Sequence, residues 1–149
     1  MTTADDDRRY PPRPILGVGA LILDGDSILL IQRGKEPLKG YWSLPGGAVE
    51  TGERLAAAIA REVLEETALA IEPIEIAEVF ERLMPDENGG TEYHYVLIDY
   101  LCHIVSGTPH AGDDSSAVAW IPRANLHTLS ITPGTLEVIE RTFERYGNQ

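Results

Sequence analysis

Cysteine is almost missing from this chain: Cys102 is the only one among 149 residues. A single thiol excludes an intramolecular disulfide and a multi-cysteine zinc site. Its neighbours Leu101 and Ile104 mark it as an inert core thiol. Cationic charge is scarce as well, with 12 Lys and Arg against 24 Asp and Glu and a formal net charge of -12. Such a chain lacks the positive field that non-specific nucleic-acid binding needs. A phosphate-bearing substrate would be repelled too, unless a cation intervened. No apolar run approaches the ~20 residues of a membrane helix. The opening MTTADDDRRYPPRP has no apolar stretch of the kind a secretory signal carries, so the cytoplasm is the expected compartment. No internal repeat and no low-complexity linker interrupts the chain.

What is present suits one globular domain. Hydrophobic residues make up 43% and charged residues 24%, an ordinary balance at a length that fits a single core. Residues 1–13 are polar and Pro-rich and are expected to form a flexible N-terminal arm, leaving residues 14–149 as the domain. Branched residues around the turn signal Asp24-Gly25-Asp26 predict a β-hairpin over residues 15–24 and 27–33. Gly17 and Gly19 lie within its first strand with no helix following, which rejects a dinucleotide-binding turn. A short extended piece is expected at Trp42 to Leu44. A helix follows from Arg54 to Thr67, with Leu55, Ala56, Ile59, Ala60 and Val63 on its packing arc. Apolar–acidic alternation from Pro73 to Met84 predicts a half-buried strand, and EYHYVLIDYLCHIV a long central one. An acidic loop over residues 106–116, a short strand AVAWIP, one helical turn and a closing amphipathic helix after Pro133 complete the chain. Strands and helices mix without strict alternation, which favours a mixed sheet with helices on both faces.

One stretch carries chemistry: GGAVETGERLAAAIAREVLEETAL, residues 46–69. Glu62, Glu65 and Glu66 are spaced i, i+3, i+4, so a helix stacks them on one face, where like charges repel. A divalent cation is the simplest compensation. Mg²⁺ and Mn²⁺ prefer oxygen ligands, and carboxylates one turn apart supply them. Gly46 and Gly47 allow backbone to approach a metal or phosphate closely.

The spacing of Gly47, Glu53, Arg61, Glu62, Val63, Glu65, Glu66, Ala68 and Leu69 resembles the signature of the Nudix hydrolase family. The lead-in YWSLPG, the early hairpin and the Trp-Ile-Pro ending of a late strand resemble it too, over residues 14–146. The resemblance implies an α+β fold of Nudix type, an α/β/α sandwich with a mixed β-sheet between helices. It implies hydrolysis of a pyrophosphate bond with Mg²⁺ or Mn²⁺, the ligands being Glu62, Glu65, Glu66 and the Gly46 carbonyl. It makes Glu53 and Arg61 an ion pair that braces the loop, with Gly47 beside it. Glu50 is either a surface acid or part of an outer metal shell. The general base is left open among Glu65, Glu66, Asp113 and Asp114. A homodimer is expected by the same analogy. Ala68 departs from the pattern, which has glycine there, and puts the helix exit in doubt but removes no catalytic group.

For the substrate, a small nucleotide is expected. The resemblance favours ADP-ribose, split to AMP and ribose 5-phosphate, and connects Pro85, sixteen residues past Leu69, with that choice. The alternatives are hydrolysis of modified (d)NTPs such as oxidised dGTP, and a non-catalytic nucleotide sensor. Arg33 and Lys35 follow the second strand, where phosphate contact is expected, and Tyr95, with Tyr93 and His94, offers either a face for adenine or half-buried core. His103, His110 and His127 have no partners at ligand spacing.

Overall fold

The computed structural model describes residues 8–112 and 115–147. The strands are β1 (Ile15–Asp24), β2 (Ser27–Arg33), β3 (Trp42–Ser43), β4 (Gly46–Ala48), β5 (Ala70–Pro85), β6 (Thr91–Ser106) and β7 (Ser115–Pro122). Their order in the sheet is β3-β2-β1-β6-β5, with β4 paired to β1 and β7 to β2. The hairpin ends fall where the turn signal placed them. Among the described strands β1 and β6 are the pair that runs parallel, from Ile15 opposite Tyr95 to Ile22 opposite Cys102. β1 is the middle strand, not β6, which lies one place from the edge.

β1 is apolar from Ile15 to Leu23 because both faces of its middle are covered. Val18, Ala20 and Ile22 pack with Ala58, Ile59 and Val63 of the helix α1 (Leu55–Thr67). On the other face Leu21 packs with Val138, Ile139 and Phe143 of the helix α2 (Thr135–Tyr146). Two helices on opposite faces of a mixed sheet make the expected sandwich. Cys102 is buried in the first cluster, and burial pushes its thiol up to about 12, consistent with an inert core residue. A 3-10 helix (Arg123–Thr128) stands where one helical turn was expected.

Three local expectations change. In α1 it is Ala58, not Ala56, that is buried, and Ala56 faces solvent. The packing arc is turned toward the acidic side, and Glu66 is carried into the interior with it. Residues 46–48 are not only a glycine turn but the strand β4, antiparallel to β1 through Gly17–Ala48, Val18–Gly47 and Gly19–Gly46. Register shifts between Pro73 and Glu75 and between Ile76 and Glu78 break the period of β5. Its apolar Ile74, Ile76, Val79 and Leu83 are therefore largely exposed, while Phe80 and Arg82 turn inward.

Candidate active site

The acidic face of α1 is graded by its packing. The side chain of Glu65 is 57% exposed and that of Glu62 14%, and Glu66 as a residue is only 9% exposed. A neighbouring cation answers for part of the cost. Arg61 donates from Nε and Nη2 to both carboxylate oxygens of Glu53, at 2.7 and 2.9 Å. From Nη1 it reaches Glu62 at 2.8 Å and Glu65 at 3.4 Å, and from Nη2 also the carbonyl of Ala48 in β4. Hydrogen bonding to Arg61 holds the Glu53 carboxyl at about 2. Burial moves Glu62 the other way, above the usual carboxylate range, against the pull of Arg61. Glu53 also accepts from the backbone N–H of Glu50 at 3.1 Å, closing the loop onto the helix.

β4 lies against these acids with nothing between. A Cβ on Gly47 would stand 2.5 Å from the Glu62 carboxyl carbon, and one on Gly46 would strike the Val18 carbonyl. The Gly46 N–H points to Glu66 Oε1 at 3.4 Å. Among the described residues no three His, Cys, Asp or Glu side chains converge closely enough, as they stand, to hold a metal. Their engagements explain why: Glu62 is turned to Arg61, Glu65 is mostly in solvent, and Glu66 is folded toward Gly46. The donor set nevertheless fits a hard cation. It offers three carboxylates within about one helical turn, bare backbone against one of them, and an excess negative charge that Arg61 only partly offsets.

The far end of α1 is held from outside. Ala68 occupies the left-handed region (φ 65, ψ 10), as the glycine it replaces would. An alanine costs on the order of 1 kcal/mol there. Buried Leu69 follows at once, its N–H donating to Thr67 Oγ1 at 3.2 Å. The loop before β7 satisfies carbonyls the helix leaves open: His110 N–H donates to Thr67 and Gly112 N–H to Glu66, at 3.0 and 2.9 Å. Ser115 Oγ also reaches the Glu66 carbonyl, at 3.2 Å. Asp113 and Asp114, two candidates for the general base, lie outside the described residues.

On the sheet face opposite α1, a cleft open to solvent is floored by β1 and β6 and walled by β5 and the start of α2. Gly46, Gly47 and Ala48 belong to its lining, so β4 is shared between the cleft and the acids. Asp99 of β6 is 3% exposed on the cleft floor. Burial raises its carboxyl to about 7, with Arg82 pulling it down and Glu78 pushing it up. Gly19 makes the room: a Cβ there would strike Asp99 Oδ1. Arg82, the cation of the same cleft, donates to the Pro133 carbonyl and at 3.0 Å to Thr135 Oγ1.

A family model for the NUDIX domain matches residues 13–142, most of the chain. The chain is a member of the Nudix family. It is 33% identical over 117 residues to an ADP-ribose pyrophosphatase of Methanocaldococcus jannaschii, covering 78% of this chain and 67% of that one. It is 36% identical over 119 residues to a putative 8-oxo-dGTP diphosphatase 2 of Mycobacterium tuberculosis, covering 78% and 79%. A crystal structure of a MutT NUDIX hydrolase from Burkholderia pseudomallei superposes with a TM-score of 0.76 at 33% identity, covering 86% of this chain and 97% of the other. The protein is thus a Nudix hydrolase by family, and these relatives are named as a pyrophosphatase and a putative diphosphatase.

The Nudix fold gathers some of the expected substrate residues and leaves others out. Arg33 and Tyr95 line the cleft. Arg33 is tied back to its own loop, donating from Nε to the Pro37 carbonyl at 2.7 Å. Lys35 and Pro85 are not part of the lining, and Pro85 closes β5 opposite Thr91. Tyr93 is buried and stacks on Tyr95 with centroids 6.3 Å apart. Asp99 and Arg82 were not singled out by sequence reasoning. A charged residue inside an otherwise apolar strand, VLIDYL, was the one available signal for Asp99.

Proposed function

We propose that the protein hydrolyses the pyrophosphate bond of a nucleoside diphosphate derivative with the help of a divalent cation, Mg²⁺ or Mn²⁺. The observation that carries this is the Glu62 carboxyl set against bare Gly47 backbone, on a strand that also lines the open cleft of the sheet. Glu62, Glu65, Glu66 and the Gly46 carbonyl would hold the cation. When bound, such an ion offsets charge on phosphoryl oxygens and eases deprotonation of water. Arg61 and Glu53 orient the acids and fix the loop to the helix. Glu65, Glu66 and Asp114 are the candidates to take the proton from the attacking water. For Asp114 the support is that Gly112 and Ser115, flanking it in sequence, are both bonded to the Glu66 carbonyl.

Two substrate classes follow. ADP-ribose, giving AMP and ribose 5-phosphate, is supported by the name of the M. jannaschii relative. An oxidised guanine nucleotide is supported by the name of the M. tuberculosis relative and by the buried acceptor Asp99. A panel of ADP-ribose, oxidised dGTP, NADH and dinucleotide polyphosphates with Mg²⁺ and product identification separates them. Glu66→Gln is expected to lower kcat by about two orders of magnitude or more with the fold intact by circular dichroism. Near-normal turnover would remove Glu66 from the metal shell. Asp114→Asn with little change in rate would leave the base within the helix.

A further inference from the structure

We infer that Asp99, with Arg82 beside it, reads the Watson–Crick edge of a guanine-type base in the cleft. This rests on the nucleotide reading above and names its base.

Among the described residues Asp99 has no hydrogen bond and no ion pair within contact distance, although it is almost completely buried. Its oxygens are not among the enclosed polar atoms that lack a partner, so solvent reaches them from the cleft, where a ligand donor can replace water. The cleft is the one direction open to it, since it lines that cleft and Gly19 withholds a side chain from its oxygens. A ligand entering the cleft therefore meets an acceptor that no described protein donor has taken. Ionised, it presents two acceptors side by side and no donor. Guanine offers the complement, the adjacent N1–H and N2–H, with an O6 acceptor next to them. Adenine offers one donor and one acceptor, and hypoxanthine lacks the N2 amine.

Arg82 supplies the third position. Its Nε and Nη2 are committed to Pro133 and Thr135, which fixes the guanidinium plane. Among the described residues its Nη1 makes no hydrogen bond, leaving a donor for O6. Phe80, Leu97 and Tyr95 of the same cleft give a flat base apolar and aromatic walls. β4 then lies within the same cleft, on the side toward the acids of α1. Base and phosphates thus have separate ends of one site.

The test is titration of the full chain with GMP, IMP and AMP, followed by calorimetry, without metal and independently of turnover. GMP is expected to bind at least ~10-fold more tightly than IMP, the difference being one amine donated to a charged acceptor. In Asp99→Asn the GMP-to-IMP ratio should fall to within about 3-fold, with AMP gaining relative to GMP. Wild-type protein that binds IMP or AMP as tightly as GMP overturns the inference without any variant, as does an unchanged ratio in Asp99→Asn. If the substrate panel shows no turnover while this discrimination is present and lost in Asp99→Asn, the diphosphatase reading fails and the base assignment stands. Turnover without discrimination sinks the base assignment alone.

Discussion

Two carboxyls in this site are taken out of water, and the protein treats them in opposite ways. Glu62 on α1 is answered by the residue next to it, since Arg61 donates to it at 2.8 Å while also gripping Glu53. Among the described residues Asp99 on β6 has no partner in contact, only the field of Arg82 on the neighbouring strand β5. The acids of α1 form a local cradle whose charge balance is built from residues within one turn or one loop. The cleft acid is an unfinished contact, assembled from strands far apart in sequence. A metal site needs its ligands held in place before the ion arrives. A recognition site needs an acceptor that no protein donor has already taken.

Breaking the first half of that contrast has the larger effect. Arg61→Ala removes the partner of Glu53 and of Glu62 together. Metal affinity and kcat/KM are expected to fall about 10- to 100-fold, the range for losing a group that orients ligands. Mn²⁺ titration alongside steady-state rates checks it, and unchanged metal affinity would show that the cradle does not need its brace. The same pair has an acid limit. Glu53 has its carboxyl depressed from 4.5 to about 2, so its stabilising contribution is present above pH 4.5 and disappears as pH falls through about 2.

Asp99 carries the opposite sign. Its folded-state value lies above the unfolded one, at about 7 against 3.8. Its contribution to stability is therefore fully present below about pH 3.8 and is lost as pH rises through about 7. Asp99→Asn should flatten that decline, so that the variant gains on the wild type between pH 4 and 8 in urea melts. Parallel curves for the two proteins would mean that the carboxyl is solvated in solution. The smallest expected effect tests the helix exit that both halves share. Ala68→Gly relieves a left-handed alanine but loosens the unfolded chain, for a net gain below ~1 kcal/mol. A loss of stability there would show that Ala68 makes a contact worth more than the strain.

The ease with which each feature was read from sequence follows the range of the interactions behind it. The hairpin around Asp24-Gly25-Asp26 was legible because turn chemistry and two apolar runs sit side by side. The acidic side of α1 was legible because a helix puts Glu62, Glu65 and Glu66 on one side whatever surrounds it, although their carboxylates do not converge as they stand. The packing arc of α1 was less so. Its rotation toward Ala58 and Glu66 depends on how closely Gly46 and Gly47 let β4 approach, and no single helix encodes that. The faces of β5 were lost to bulges, which shift side-chain parity without leaving a mark in an apolar–acidic alternation.

The sequence by itself determined the family, the two-sided sandwich and the acids of the helix, because all three rest on periodicity and fixed short spacing. Only the tertiary structure decided which of those acids are buried and which strand backs them. It also decided that Asp99, Arg82 and Gly19 share one cleft. Those residues belong to β6, β5 and β1, and their meeting depends on strand register and sheet order. A one-residue slip in that register would have turned Asp99 to the other face.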